Sequence, residues 1–223
     1  MAQELWSAVD RYFDGQLLRA DPVLKAALAA STAAGLPAIQ VSPSQGKLLQ
    51  LLALACGARR ILEVGTLGGY SGICLARALP PEGKLVTLEL DAHHAAVARA
   101  SFERAGLAGR IELVVGPALA SLAVLLHQRV APFDLVFIDA DKENNLGYVQ
   151  GALALSGPGT LLLIDNVVRH GAVLKQGQDA AVDGIRRMTE WIGQQPRLEA
   201  SVVQTVGEKG YDGLMLARVR SDQ

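Results

Sequence analysis

The chain has little cysteine, almost no net charge and no long unbroken apolar segment, and each shortage removes a class of answer. Its 223 residues hold only two cysteines. Cys56 and Cys74 lie in apolar helical patterns without the spacing of a metal site, which predicts reduced, inert core residues in a cytoplasmic protein. Lysine and arginine number 21 against 22 acids, for a formal charge of −1. A protein that grips a phosphate backbone needs a basic face, so nucleic acid is not an expected partner. No apolar run approaches the ~20 residues that span a bilayer. The opening MAQELWSAVD lacks the basic-then-apolar order of a signal peptide, so no membrane role is expected either. Repeats, low-complexity tracts and linkers are also missing. That predicts one domain over residues 1–223, with 1–40 as helical cover and 41–223 as the core.

What the chain does have is apolar content. Half of it is hydrophobic and 19% is charged, ample for a large core and incompatible with disorder. Asp21-Pro22 reads as an N-cap with proline in the first turn, and Gly35 and Pro37 close that helix. VSPSQGKLLQLLALA starts another, with Ser42 as N-cap, Pro43 at the first helical position and Gln45 completing a capping box.

From residue 60 onward the pattern is regular. Short, nearly continuous apolar runs occur at 60–64, 84–90, 110–115, 134–139 and 160–165, separated by stretches of helical period. Strands without strict alternation, divided by helices, predict an α/β fold: a mostly parallel, doubly wound sheet with helices on both faces. The runs at 200–206 and 213–219 are joined only by GEKGYD. So short a link cannot cross over between parallel strands, so the final strand should be antiparallel.

Two strand ends carry chemistry. After the first strand comes EVGTLGGYSG, with Gly65, Gly68, Gly69 and Gly72 in the turn into a helix. Glycine lets a ligand approach the backbone, and ligands of open α/β sheets bind at the carboxyl ends of the strands. The next strand ends in Glu89, well placed for the hydroxyls of a ribose. The glycine spacing is not G-x-G-x-x-G. With Glu63 and Glu89 nearby and no base, the turn suits a neutral or cationic nucleoside better than a pyrophosphate, and S-adenosylmethionine (SAM), a sulfonium, fits that description.

The second place is FDLVFIDADK followed one helix later by TLLLIDN. One acid at a strand end is often only a solvated loop residue. Adjacent parallel strands, however, would bring Asp139, Asp165 and Asn166 to one point, an oxygen-only set suited to Mg²⁺, with Mn²⁺ or Ca²⁺ as alternatives, and unsuited to zinc or copper. A lysine beside a dication is pushed toward its neutral form, so Lys142 is a candidate base for a phenolic hydroxyl. Asp141 is expected to orient its neighbours.

ILEVGTLGGYS, LVTLELD, VGPAL, FIDADK and IDNV, in this order and spacing, resemble the cation-dependent class I O-methyltransferases, the group of catechol and caffeoyl-CoA O-methyltransferases. The likeness runs from about Gln40 to the last strand. It implies a Rossmann-like methyltransferase fold and a metal held by Asp139, Asp165 and Asn166, with Lys142 as base. SAM would meet Val41, Glu63, Gly65, Thr66, Ser71, Glu89, Ala118 and Asp139. It also implies a homodimer and a small phenolic acceptor with vicinal hydroxyls. Arg169 stands where the plant caffeoyl-CoA enzymes have an aromatic residue, which argues against that thioester here. The loop over residues 166–180 should shape the acceptor pocket, and His93, His94 and His127 are expected to be structural or exposed. A dinucleotide-dependent oxidoreductase would share the glycine turn and Glu89, but it leaves Asp165, Asn166 and the terminal hairpin without a purpose. A non-catalytic SAM-binding protein would not need the set of Asp139, Lys142, Asp165 and Asn166.

Overall fold

Seven strands form a single sheet in the computed structural model, which describes residues 2–177 and 179–221. In chain order they are β1 (Arg60–Val64), β2 (Lys84–Glu89), β3 (Ile111–Val115), β4 (Phe133–Ile138), β5 (Ser156–Asp165), β6 (Leu198–Gly207) and β7 (Gly210–Val219), arranged β3-β2-β1-β4-β5-β7-β6. β1 to β5 are mutually parallel, and β7 lies antiparallel between β5 and β6. This is the doubly wound sheet that the apolar runs predict. The last two strands are longer than expected, because Tyr211 and Asp212 pair with Val206 and Thr205 and leave only Glu208 and Lys209 to turn the hairpin.

The helices are α1 (Ala2–Leu17), α2 (Pro22–Ala33), α3 (Pro43–Ala55), α4 (Tyr70–Ala76), α5 (Ala92–Arg104), α6 (Ala118–His127), α7 (Asn145–Ala154) and α8 (Ala180–Gly193). The starts of α2 and α3 follow the expected chemistry. Asp21 accepts from the amides of Val23 and Leu24, and Ser42 from that of Gln45. Unpaired amides at a helix start need such acceptors.

Strand alternation divides the core in two. Leu62, Val64, Val136, Ile138 and Ile164 face one way, toward Val149 and Met188. Ile61, Leu135, Phe137 and Leu163 face the other, toward Leu49, Ile73 and Phe102. Each such side chain contributes about 1.5–3 kcal/mol on burial, so the sheet's centre is firmly held. Consequently the carboxyl ends of β1, β2, β4 and β5 are fixed relative to one another.

Cys56 departs from expectation. It caps the end of α3 and is exposed, whereas Cys74 is buried and its thiol is pushed up to about 12, chiefly by desolvation. Among the described residues no helix is long and apolar enough to cross a membrane.

Candidate active site

The turn after β1 is shaped by what it must pass. Gly65 has φ of +99°, and a Cβ there would lie 2.2 Å from the carbonyl oxygen of Asp139. Only glycine permits both the left-handed backbone and that approach. The turn therefore runs directly against the end of β4, and the two chemically marked regions of the sequence meet.

Glu89 fixes the turn from the next strand. Its Oε2 accepts from the amides of Thr66 (3.1 Å) and Leu67 (2.8 Å), and its Oε1 from that of Asp91 (2.9 Å). A carboxylate offers about four acceptor positions, so three are already used and about one is left for a ligand hydroxyl. His94 lies 3.6 Å from the same carboxylate, a placement that its exposed helical pattern did not suggest.

Beneath the turn, Glu63 is fully buried. Its Oε2 accepts from Thr87, whose hydroxyl also meets Thr66 at 2.6 Å. Burial pushes the Glu63 carboxyl up to about 7, against hydrogen bonds from Thr87 and Ser71, and its Oε1 has no partner. An orphaned buried oxygen of this kind is rare in a folded protein.

The last register pair between β4 and β5 is Ile138 with Ile164, so Asp139 and Asp165 follow side by side. Lys142 is buried in a single 3₁₀ turn, Lys142–Asn144, and its Nζ donates to Asp139 Oδ1 at 2.9 Å. Gly184 of α8 lets that turn pack closely, because a Cβ there would come within 2.3 Å of the Lys142 carbonyl. Asp141 accepts from the Tyr148 hydroxyl and from Asn144 Nδ2, and so braces the same turn. Asn166 adopts a left-handed φ of 59°, which asparagine tolerates better than most residues.

The Asp165 carboxyl is pushed well above the usual carboxylate range, first by burial and then by the charge of Asp139. A cation between two such carboxylates would relieve both terms, and the available donors are all hard oxygens, so the set fits a divalent metal. Among the described residues no group of three His, Cys, Asp or Glu gathers at one point. The candidate set is two carboxylates and an amide. Gln45 adds a support the sequence reading missed. Rather than closing a capping box, its Nε2 donates to Asp165 Oδ2 at 2.6 Å.

All these elements open on one cleft of about 790 Å³, within the range of small-molecule sites. Val41, Gly65, Thr66, Ser71, Glu89, Ala118, Asp139, Lys142 and Asn166 border it, while Glu63 and Asp165 are not on its wall. From the expected acceptor loop, Asn166 and Arg169 reach the cleft; Gln178 lies outside the described residues.

A family model described as O-methyltransferase matches residues 18–220. A catechol O-methyltransferase of Mycobacterium tuberculosis is 53% identical over 212 residues, covering 95% of this chain and 95% of that protein. Its counterpart from Niastella koreensis is 47% identical over 221 residues, 99% and 100% of the two chains. Among solved structures, an O-methyltransferase from Bacillus cereus in complex with SAH superposes with a TM-score of 0.96 at 51% identity, covering 98% of this chain and all of that one. The O-methyltransferase TomG from Streptomyces achromogenes, in complex with SAM, gives 0.96 at 47% identity over 99% of this chain and 100% of its own.

Proposed function

The chain belongs to the O-methyltransferase family, and on that premise we propose that it moves a methyl group from SAM to one hydroxyl of a catechol-like acceptor with the help of a divalent cation. The observation that carries this reading is the meeting of Lys142, Asp139 and Asn166 with the glycine turn on one cleft wall. A base, an oxygen donor set and a nucleoside-sized recess stand within reach of one another. The catechol O-methyltransferase names of relatives at 47–53% identity support the acceptor class.

SAM would lie along the turn, with Gly65 and Ser71 at its methionine end, the Val41 backbone in contact with it, Glu89 accepting a ribose hydroxyl and Ala118 beside the adenine. A cation bound by Asp139, Asp165 and Asn166 would supply a Lewis acid for two vicinal oxygens, lowering the pKa of the attacking hydroxyl. In its neutral form, which a cation on the neighbouring carboxylates would favour, Lys142 takes the hydroxyl proton on Nζ. The acceptor oxygen forms its bond to the methyl carbon as the carbon–sulfur bond breaks, and the sulfur leaves as a neutral thioether. Gly65 and Glu89 fix the donor's position and the β4–β5 ends fix the acceptor's, so much of the acceleration is positional.

A homodimer is part of the proposal. α1 has no buried residue and is docked through polar contacts: Gln3 to the Gly207 carbonyl, Asp10 to the Glu208 amide and Asp14 to Ser44. Leu5, Val9, Tyr12, Phe13 and Leu17 are all exposed along one stripe of the helix, which a second copy of the chain would cover.

Purified protein with SAM and 3,4-dihydroxybenzoate or caffeate, with Mg²⁺ and in parallel with EDTA, tests the reading by the mass of the ring product. Methylation abolished by the chelator supports it. Methylation that survives the chelator removes the metal from the mechanism. SAM binding without turnover of any phenol would favour a non-catalytic binding protein.

A further inference from the structure

Arg169 is the cation on the cleft wall that has no assigned task. Lys142 is paired with Asp139, and His94 lies beside Glu89. The Arg169 guanidinium makes no ion pair or side-chain hydrogen bond among the described residues, although the residue is half-buried and borders the cleft three positions beyond Asn166.

Its backbone is held with unusual care. Arg169 and His170 both have φ of 53°, a left-handed conformation that non-glycine residues rarely adopt. Asp212, from β7, holds the chain that leads into them: its Oδ1 accepts from the amides of Val168 (3.0 Å), Arg169 (2.9 Å) and Gly213 (2.9 Å). Strain sustained by such a clamp is a feature of sites where a side chain must be aimed. The surroundings add a charge argument. Asp141 and Glu143 also border the cleft, so an anionic acceptor would meet repulsion there unless a fixed cation offsets it.

We infer that the acceptor carries a carboxylate in addition to its vicinal hydroxyls, and that Arg169 reads this carboxylate. The inference rests on the proposed O-methyl transfer and deepens it by naming the acceptor's charge. A planar guanidinium matches a carboxylate with two parallel hydrogen bonds. Arg169 thus selects among catechols, whereas Lys142 and the oxygen donors act on any of them.

The test compares kcat/KM for 3,4-dihydroxybenzoate and its neutral isostere 3,4-dihydroxybenzamide, with catechol as a third acceptor, in the presence of Mg²⁺. The wild-type protein should prefer the benzoate. Arg169→Ala should lose about tenfold on the benzoate, the worth of one charge-assisted contact, while the benzamide and catechol change by less than about twofold on the same scale. Arg169→Lys should recover part of the loss, and Arg169→Glu should reverse the preference. Arg169→Gln gives the same comparison should the alanine variant fail to fold. Equal losses on benzoate and benzamide, or no change on either, would overturn the role of Arg169 and leave methyl transfer intact. A wild-type protein that binds SAM yet methylates none of the three acceptors would overturn the proposed function and this inference with it.

Discussion

Gln45 and Asp165 are 120 positions apart in sequence, yet Gln45 Nε2 lies 2.6 Å from Asp165 Oδ2. One belongs to the first turn of α3 and the other ends β5. The bond orients a carboxylate that burial would otherwise leave to seek a proton. Partners of this kind, behind the ligands themselves, commonly govern metal affinity about 10–100-fold.

Gln45→Ala should therefore weaken divalent-cation activation by about tenfold or more while leaving SAM affinity unchanged. Activity measured against Mg²⁺ concentration, beside calorimetric SAM binding, separates the two. A variant with unaltered metal dependence would show that the bond serves only to hold α3 on the sheet.

Lys142 has two relations to the site, as proposed base and as the donor of a hydrogen bond to Asp139. Lys142→Met should lower kcat by about 10²–10⁴-fold, the usual worth of a positioned base, with little change in SAM binding. The same variant frees Asp139 Oδ1, so cation affinity should be equal to or higher than that of the wild type. Loss of both kcat and cation affinity would instead mark Lys142 as a structural prop for the Lys142–Asn144 turn.

Much of this was legible in the sequence because it follows from topology. Continuous apolar runs located all five parallel strands, and a parallel sheet places every strand's carboxyl end on one edge, so Glu63, Glu89, Asp139 and Asp165 were brought together by counting strands. The illegible parts depend on side chains that cross between elements. Gln45 reads as a capping residue from its neighbours alone, and Asp212 carries no local signal that it clamps Val168 and Arg169. The exposure of Cys56 was hidden for a related reason. α3 has leucines on every side, with Leu49 buried but Leu48, Leu51 and Leu54 exposed, so its periodicity does not say which face is inward.

Glu63 makes the stability of the fold depend on pH. Its carboxyl, near 4.5 when unperturbed, is pushed up to about 7 by burial. The folded chain holds that proton more tightly than the unfolded chain does. The resulting stability is complete below pH 4.5 and is lost as pH rises to about 7, at a total of roughly 3 kcal/mol. Glu63→Gln mimics the protonated form, so its stability relative to the wild type should improve across that window and level off above it. Urea unfolding of both proteins at several values from pH 5 to 8, without ligand, measures this; a constant difference across the series would contradict the buried-acid assignment.

α1 is a helix attached by its polar side. Tyr12 is 64% and Leu17 72% exposed, and Phe13 packs edge-on against Tyr12 with ring centroids 5.2 Å apart. None of the three takes part in the docking contacts of Gln3, Asp10 and Asp14. Replacing apolar side chains there by charge should spare the fold and act on association alone. Each buried side chain of this size is worth about 1.5–3 kcal/mol, so Phe13→Asp with Leu17→Asp should shift a micromolar dimer largely to monomer in sedimentation velocity, with the unfolding midpoint of the monomer little changed. A wild-type protein that sediments as a monomer at the same concentration would remove the second copy as the cover for this stripe. A double variant that remains dimeric would place the contact elsewhere, and the exposed residues of β6, Val202, Val203 and Val206, would be the next to replace.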